Sequence, residues 1–336
     1  MPTARRAAFA ALAAAAAAPA AARILAAPAR AADWRPDRPV RLVVPFAPGG
    51  NTDLVARVIG PRMSERLGQP VVVENRAGAA GSVAAAQVAR ARPDGLTLMI
   101  GSNGPMAINP ITRTDLGYEP LRDFAPLGLV VRTPLALAVH RDLPARDVAA
   151  LIAHAKASPG RVVFGSPGVA STGHLTLEMF NAATGAGITH APYQSGGALT
   201  PDLVAGTVAG AFVEVATVLP LHREGAVRIL AVTAGRRLRV APELPTVEEA
   251  GVPGFRAASF VGVVAPAGVP GEAMAALHAA LAAAVRDPEV RRRLEEMGSE
   301  MAGEEEASPA GFAAFLQRET EWTRLAAERA GLRRPQ

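Results

Sequence analysis

Two turns rich in glycine, serine and threonine hold the residues best suited to bind an anion. They lie at residues 45–53 and 165–174, and neither contains lysine or arginine. Each follows a short apolar run typical of a strand and precedes a segment with helical periodicity. Each therefore places unpaired backbone N–H groups at the start of a helix. Because the turns are far apart in the sequence, we expect two lobes that hold one anionic ligand between them.

The N-terminal segment has the features of an export signal. Arg5 and Arg6 precede an alanine-rich apolar run at 7–22, and the Ala-Arg-Ala sequence at 29–31 suits a signal peptidase. The apolar run is too short to favour a membrane span. The arginine pair matches a twin-arginine signal only loosely, which favours general secretion. We therefore predict that residues 1–31 are removed and that the protein is periplasmic.

Composition argues against several other classes of protein. The formal net charge is +5, but the predicted signal contains four arginines and no acid, so its removal leaves about +1. A charge this small gives no support for nucleic-acid binding. The chain has no cysteine, which predicts neither disulfides nor a lipid anchor. The six histidines lack the spacing of metal ligands, so we expect no metal site and no cofactor.

Short valine-rich runs alternate with longer alanine-rich helical segments, which predicts an α/β protein with mostly parallel sheets. Strands are predicted at 42–46, 71–74, 96–100, 135–140, 162–165, 208–213 and 229–233, and helices at 52–67, 82–91, 145–156, 171–183 and 197–205. In such sheets ligands bind beyond the carboxyl ends of the strands, where both anion-type turns lie.

The C-terminal third differs from the rest. From residue 269 onward the pattern is almost entirely helical, with helices predicted at 271–284, 288–297 and 309–330. Before it, residues 242–270 are rich in proline and glycine and are interpreted as an irregular segment that returns the chain to the first lobe. The first lobe would then be discontinuous.

Sequence blocks along nearly the whole chain after the predicted signal resemble one family of receptors. They include Arg41-Leu-Val-Val-Pro-Phe-Ala-Pro-Gly-Gly-Asn-Thr-Asp53, Leu67-Gly-Gln-Pro-Val-Val-Val-Glu-Asn-Arg-Ala-Gly78, Pro93-Asp-Gly-Leu-Thr-Leu98, Asp123-Phe-Ala-Pro126, His190-Ala-Pro-Tyr193, Leu230-Ala-Val-Thr233 and Glu249-Ala-Gly-Val-Pro-Gly254. In this order and at this spacing the blocks resemble the Bug family, the extracytoplasmic solute receptors associated with tripartite tricarboxylate transporters.

The resemblance implies a type II periplasmic-binding-protein fold, with two lobes and a ligand cleft between them. The first lobe would comprise 33–134 and 259–336, and the second lobe 135–258. The implied ligands are small carboxylates: tricarboxylates, dicarboxylates, amino acids or aromatic acids. The implied partners are the membrane subunits of a transporter or a sensor protein, with the receptor acting as a monomer. A receptor whose transporter is encoded elsewhere is a variant of the same interpretation.

The resemblance also implies which residues hold the ligand. Neutral donors and backbone N–H groups, not an arginine, would bind the carboxylate. The residues carried over are Gly49, Gly50, Asn51 and Thr52 from the first turn, Ser166, Gly168, Ser171 and Thr172 from the second, and Phe46, Ser102 and Asn103 as further walls of the cleft.

Two acidic residues have an open role. Asp53 could contact a ligand amine, but an acid in the first turn of a helix more often completes the helix cap, and we favour that structural role. Glu214 stands where the family commonly has an aspartate or a neutral residue facing the cleft. If Glu214 faces the ligand, it would accept a hydrogen bond from an amine or hydroxyl and would repel a second carboxylate.

An enzyme is the alternative interpretation. An envelope hydrolase could use Ser171 or Ser166 as nucleophile with His174 as base, because such triads assemble from distant residues. The nucleophile-elbow pattern Gly-x-Ser-x-Gly is missing from this chain, however. Ser171 and His174, three residues apart, are better suited to a helix cap and a packing contact. We therefore predict a receptor and not an enzyme.

Overall fold

A computed structural model describes residues 34–329 and residue 332, so the predicted export signal lies outside the described residues. The strands are β1 (Val40–Val44), β2 (Val71–Asn75), β3 (Thr97–Ser102), β4 (Phe124–His140), β5 (Val163–Ser166), β6 (Thr189–Pro192), β7 (Gly210–Glu214), β8 (Val227–Val232), β9 (Ala258–Pro266) and β10 (Glu300–Met301). Most strands predicted from the sequence lie within a few residues of these bounds.

The helices begin and end close to where the apolar periodicity predicts. They are α1 (Asn51–Leu67), α2 (Ser82–Ala89), α3 (Asn109–Thr112), α4 (Pro120–Asp123), α5 (Val148–Ala157), α6 (Thr172–Thr184), α7 (Gly196–Ala205), α8 (Val215–Arg223), α9 (Gly271–Arg286), α10 (Pro288–Glu296) and α11 (Pro309–Arg329). A 3-10 turn covers Ala79–Gly81 and a π-helical turn covers Gly104–Ile108. Within the described part of the chain, none of the helices combines the length and the apolar character needed to cross a bilayer.

The strands form one long sheet in the order β2-β1-β3-β9-β4-β7-β5-β6, with β8 and β10 also pairing with β4. We call the part built on β1, β2, β3, β9 and β10 the first lobe, and the part built on β5, β6, β7 and β8 the second lobe. The long strand β4 belongs to both: residues 124–134 pair with β9, and residues 135–140 pair with β7 and β8. The lobe boundaries at 134/135 and 258/259 stay a prediction, and this change of partner on β4 is consistent with the first of them.

Each lobe has apolar cores on both faces of its sheet, as the alternation of side chains along a strand requires. In the first lobe Val40, Leu42 and Val44 face α1, α9 and α10, while Val43 and Met99 face α2 and α11. In the second lobe the two faces of the sheet are covered by α5 and α6 on one side and by α7 and α8 on the other. Both faces of the sheet are therefore covered by helices. A ligand can reach the sheet only at the ends of its strands.

Two features of the sheet differ from the prediction. The strands near each outer edge are parallel, but β9 runs antiparallel to β3 and β4, and β4 runs antiparallel to β7 and β8. The expectation of mostly parallel sheets is therefore wrong for the centre. The segment 242–270 is also not irregular throughout, because it contains β9. Both differences have the same physical reason. The chain leaves the first lobe along β4 and returns to it along β9, and these two strands pair side by side in opposite directions.

Candidate ligand-binding site

A small polar cavity lies between the two lobes, where the centre of a water molecule can move through about 50 Å³. Most of the residues that line it lie at or just after the carboxyl ends of β1, β3, β5, β6 and β7, as expected for ligand sites in sheets of this kind, and two lie at the start of β9. They are Phe46, Gly50, Asn51, Thr52, Ser102, Asn103, Gly104, Pro167, Ser171, Thr172, Ser195, Gly196, Glu214, Ser259 and Phe260. A cavity of this size holds several waters or a small ligand.

Besides α8, whose N-cap is the lining residue Glu214, three helices begin at this cavity. Gly50 is the N-cap of α1, Ser171 that of α6 and Ser195 that of α7. Each serine caps its own helix by accepting a hydrogen bond from the backbone N–H three residues later, at 3.2 Å for His174 and 3.1 Å for Ala198. The first N–H groups of all three helices have no partner within the helix and carry the positive end of its dipole. The arrangement suits an anion.

Gly50 leaves space in the cavity, although the backbone conformation at this position does not require a glycine. Its φ of −85° and ψ of 170° are ordinary extended values, which any residue adopts. A Cβ atom at this position would meet no atom within 4 Å. The absence of a side chain at Gly50 therefore keeps space open beside the start of α1.

The neighbouring Gly49 does not line the cavity. Its φ is +86°, in the left-handed region that favours glycine, and its N–H donates to Asp53 Oδ2 at 3.0 Å. Asp53 is buried and also accepts from Arg57 Nε at 3.0 Å and Asn75 Nδ2 at 2.9 Å. Burial alone would raise the pKa of Asp53, but the hydrogen bonds from Arg57, Gly49 and Asn75 outweigh it and lower that pKa. Asp53 therefore fixes the turn, in the structural role favoured by the sequence.

Ser166 and Gly168 are also engaged within the protein. The Ser166 hydroxyl, fully buried, donates to the Gly168 carbonyl at 2.9 Å and lies 2.6 Å from His190 Nε2. The Gly168 N–H points back to the same hydroxyl at 3.3 Å. These bonds shape the second turn, while Pro167, Ser171 and Thr172 are the residues of that turn that reach the cavity.

The histidines near the second turn are packed and not placed for catalysis. The ring of His174 accepts a hydrogen bond from the Ala170 N–H through Nδ1 at 3.1 Å and stacks on His190 with ring centres 3.7 Å apart. Burial, helped by the neighbouring His190, lowers the pKa of His174 to about 4. The His174 ring makes no hydrogen bond to Ser171 or Ser166 among the described residues. The pair that the hydrolase interpretation requires, Ser171 or Ser166 with His174, is therefore not formed. Ser166 lies against His190 instead, fully buried and with its hydroxyl donating to the Gly168 carbonyl.

Asn51 ties the start of α1 to the two crossing strands. Its Nδ2 donates to Thr133 Oγ1 on β4 at 3.2 Å and to Ser259 Oγ on β9 at 3.4 Å. Thr133 Oγ1 in turn lies 2.8 Å from Ser299 Oγ. This buried chain of neutral groups places a cavity residue directly on the strands that link the lobes.

Another part of the cavity wall is formed at the end of β3, by Ser102 and Asn103. Asn103 accepts a hydrogen bond from the Phe260 N–H through Oδ1 at 2.7 Å and donates to Glu319 Oε1 through Nδ2 at 3.1 Å. Among the described residues the buried Ser102 hydroxyl has no hydrogen-bond partner. Buried polar groups are nearly always paired, so an unpaired hydroxyl in a cavity wall points to a bound water or ligand.

Glu214 lines the cavity at the end of β7. Burial raises the pKa of its carboxyl, and hydrogen bonding by its own N–H and by Ser259 only partly opposes that shift. The remaining lining residues are neutral. The structure therefore places Glu214 among the residues that line the cavity, and its contact with a ligand stays a prediction.

Of the residues predicted for the site, the structure brings Phe46, Gly50, Asn51, Thr52, Ser102, Asn103, Ser171, Thr172 and Glu214 to the cavity. Gly49, Asp53, Ser166 and Gly168 lie behind it. The prediction missed Gly104, Pro167, Ser195, Gly196, Ser259 and Phe260. A signal for Ser195 and Gly196 was present, because Ser-Gly-Gly follows a strand and precedes a helix just as the first two turns do. No group of three or more residues able to hold a metal ion occurs in the described part of the chain.

The comparisons with known proteins agree with this geometry. Residues 55–327 match the family model of the tripartite tricarboxylate transporter family receptor, TctC. The chain belongs to this family. The receptor is 39% identical to protein BugT of Bordetella pertussis over 73% of its own length and 75% of that protein. The resemblance seen in the sequence is thereby confirmed.

Solved structures of similar proteins show the same architecture. An R. palustris protein solved with adipate is 38% identical, with a TM-score of 0.85, over 89% of the receptor and 99% of that chain. MatC from Rhodopseudomonas palustris, solved with bound malate, is 33% identical with a TM-score of 0.83 over 87% and 99% of the two chains. The two-lobed binding-protein fold is confirmed, and the family is one of receptors and not of enzymes.

Proposed function

We propose that the receptor binds a small carboxylate in the cleft between its lobes, with one carboxylate group at the starts of α1, α6 and α7. The observation that carries this proposal is the convergence of three helix N-termini on one cavity whose lining includes no basic residue. A carboxylate at a helix N-terminus gains about 0.3–1 kcal/mol at exposed positions and up to about 2 kcal/mol where it is partly buried. Three such ends, with the Thr52, Ser102 and Ser171 hydroxyls, replace the arginine that other carboxylate sites use.

The ligands of the related structures support the same chemical class. Adipate and malate each carry two carboxylates and no ring. The receptor shares the overall fold with those proteins and presents neutral donors at its cavity. The finer identity of its ligand depends on the groups at the far end of the cavity.

The family suggests where the receptor works. We propose that it is exported, with residues 1–31 removed, and acts in the periplasm as a monomer without a lipid anchor. It would deliver its ligand to the membrane subunits of a tripartite tricarboxylate transporter or present it to a sensor. A pull-down from solubilised membranes with and without ligand tests for such a partner. A partner that binds the closed form of the receptor should be retained better when ligand is present.

Binding itself is tested by a thermal-shift screen of the mature protein against mono-, di- and tricarboxylates and amino acids. A ligand at a hundred times its dissociation constant stabilises the folded protein by about 2.7 kcal/mol, which gives a measurable rise in Tm. We expect carboxylates to raise Tm and the corresponding amides to have no effect. If no carboxylate raised Tm while uncharged solutes did, the receptor would bind a different class of ligand.

A further inference from the structure

Glu214 is chemically unlike the rest of the cavity. It is the last residue of β7 and sits opposite Leu135 in the pairing of β7 with β4. The other lining residues are glycine, proline, phenylalanine, serine, threonine and asparagine. Glu214 is thus the one ionisable side chain among the lining residues.

The described part of the chain supplies no charged partner for this carboxylate, because none of its arginines, lysines or histidines forms an ion pair with Glu214. The neighbours of Glu214 are the Ser259 hydroxyl and the start of α8, of which Glu214 is the N-cap residue. That hydroxyl is already shared with Asn51, whose Nδ2 lies 3.4 Å away. A buried carboxylate that has only neutral neighbours is unfavourable unless it is protonated or meets a cation. The missing partner must therefore come from solvent or from the ligand.

The cavity thus has two chemically distinct ends. The starts of α1, α6 and α7 attract a negative group, whereas Glu214 disfavours one and attracts a positive group. A ligand that satisfies both ends is a zwitterion. A dicarboxylate would place its second negative charge near Glu214, unless Glu214 took up a proton on binding.

We propose that Glu214 makes this receptor select carboxylates that also carry a positively charged amine, with the amine bound at Glu214. The inference rests on the proposed function, because it takes the carboxylate end of the ligand to lie at the three helix starts. Asn51 holds the Ser259 hydroxyl beside Glu214. The amine would therefore bind to the Glu214 carboxylate, with these neutral groups around it. The selectivity belongs to this chain, since it follows from one side chain at the end of β7.

Matched ligand pairs test the proposal on the wild-type protein. Calorimetry at neutral pH compares β-alanine with malonate, 4-aminobutanoate with succinate, and 5-aminopentanoate with glutarate, together with a panel of α-amino acids. In each pair the ligands have the same carbon chain and differ at one end. We expect the amine-bearing member to bind at least tenfold more tightly at the length that fits the cavity. Tighter binding of the dicarboxylate in every pair would overturn the inference.

Glu214→Gln isolates the side chain responsible, because glutamine keeps the shape and removes the charge. Truncating one partner of a buried charge pair typically weakens binding by about thirtyfold or more, so the amine-bearing ligand should lose at least that factor. The dicarboxylate of the same length should bind unchanged or more tightly. The matched control is Glu272→Gln, an exposed acid at the start of α9, which should alter neither affinity.

The outcomes separate this inference from the proposed function. If dicarboxylates bind well and Glu214→Gln leaves the preference unchanged, the receptor is a carboxylate receptor but Glu214 does not select an amine. If dicarboxylate binding takes up one proton in the wild type and none in Glu214→Gln, Glu214 instead serves as a protonated donor, and the inference is wrong. If neither member of any pair binds and no carboxylate in the thermal-shift screen raises Tm, the proposed function fails as well.

Discussion

Gly197 lies against the Pro48 carbonyl across the cleft, so closely that a Cβ atom on Gly197 would stand 3.0 Å from that oxygen. Gly197 belongs to α7 of the second lobe, and Pro48 belongs to the turn before α1 of the first. The structure therefore shows the lobes in contact at the mouth of the cavity. A glycine at this point allows the turn and the helix to meet.

We expect Gly197→Leu to fold normally but to resist closure. Leucine is favoured over glycine within a helix by about 0.8 kcal/mol, so α7 should not be weakened. The added side chain has no room beside Pro48 when the lobes meet. Small-angle scattering with saturating ligand should show compaction of the wild type and much less compaction of the variant.

Gly271→Leu is the control for this experiment. Gly271 also begins a helix, α9, and a Cβ atom on Gly271 would meet no atom within 4 Å. It lies away from the cleft and should leave closure and affinity unchanged. Equal compaction of the wild type and Gly197→Leu would show that the contact with Pro48 does not limit closure.

The second prediction concerns the space beside the start of α1. Gly50→Val should fold, because φ and ψ at Gly50 are ordinary, but its side chain would occupy the cavity. Overpacking of a closed site typically costs about 1–3 kcal/mol, so the affinity should fall at least fivefold. Calorimetry measures the affinity, and circular dichroism shows that the variant is folded. Gly303→Val, at another open glycine outside the cavity, should bind like the wild type.

The third prediction separates the two roles of Ser171. Ser171→Ala removes the cap of α6, which should lower stability by about 0.5–2 kcal/mol. The Ser171 hydroxyl donates to Ser166 Oγ at 3.3 Å and lines the cavity, where it can turn to donate to a ligand, so its removal should lower affinity by about 0.5–1.5 kcal/mol. Asp147→Ala removes the cap of α5 away from the cavity and should lower stability alone. If both variants bound equally well, the Ser171 hydroxyl would not contact the ligand.

The fourth prediction compares Arg57 with its partner Asp53. Arg57 is 53% exposed, whereas the Asp53 side chain is only 4% exposed and accepts the Gly49 N–H. Arg57→Ala should therefore change affinity by less than about 1 kcal/mol, as is typical of an exposed ion pair. Asp53→Ala removes the buried carboxylate that accepts hydrogen bonds from Gly49, Arg57 and Asn75, and should cost about 1.5–3 kcal/mol of stability, as is typical of hydrogen bonds to a charged group. Thermal unfolding and calorimetry on both variants measure these effects. Loss of binding in Arg57→Ala would mean that a basic side chain and not neutral donors holds the carboxylate.

The sequence predicts most of this fold because its signals are local. Apolar periodicity, glycine and proline set the starts of α1 and α6 and the edges of β1 and β5. The pairing of β9 with β4 is not local, because it joins segments far apart in the sequence. In addition, the prolines and glycines around β9 make this buried strand difficult to recognise from the sequence. The antiparallel centre of the sheet could therefore not be predicted from periodicity.

In the site, too, the local features are predictable from the sequence and the long-range contacts are not. The sequence identifies the turn at Gly49 and Gly50 as one that offers N–H groups, but it does not show which group remains free. Asp53, four residues later, takes the Gly49 N–H, and His190 engages Ser166 from another strand. These partners are determined by side-chain geometry, which turn patterns do not specify.

The last prediction concerns Glu319, which hydrogen-bonds to the cavity residue Asn103 from α11. Burial raises the pKa of Glu319 from its ordinary value of 4.5 to about 7. The folded protein therefore binds this proton more tightly than the unfolded chain does. The stability contributed by the group is fully present below about pH 4.5 and is lost as the pH rises towards 7.

Glu319→Gln removes this titration while it keeps an oxygen that can accept from Asn103. We expect the Tm of the wild type to fall relative to that of the variant as the pH rises from 4.5 through 7, with a constant difference only above about pH 8. The pKa of His174 is lowered to about 4, so the stability that His174 contributes is lost as the pH falls below 6.5. This effect is the same in the wild type and in Glu319→Gln. Glu321→Gln is the control, because Glu321 lies on the same helix but is exposed and pairs with Arg324. A difference in Tm between wild type and Glu319→Gln that stays constant from pH 4.5 to 8 would show that Glu319 titrates normally and does not link the cavity to pH.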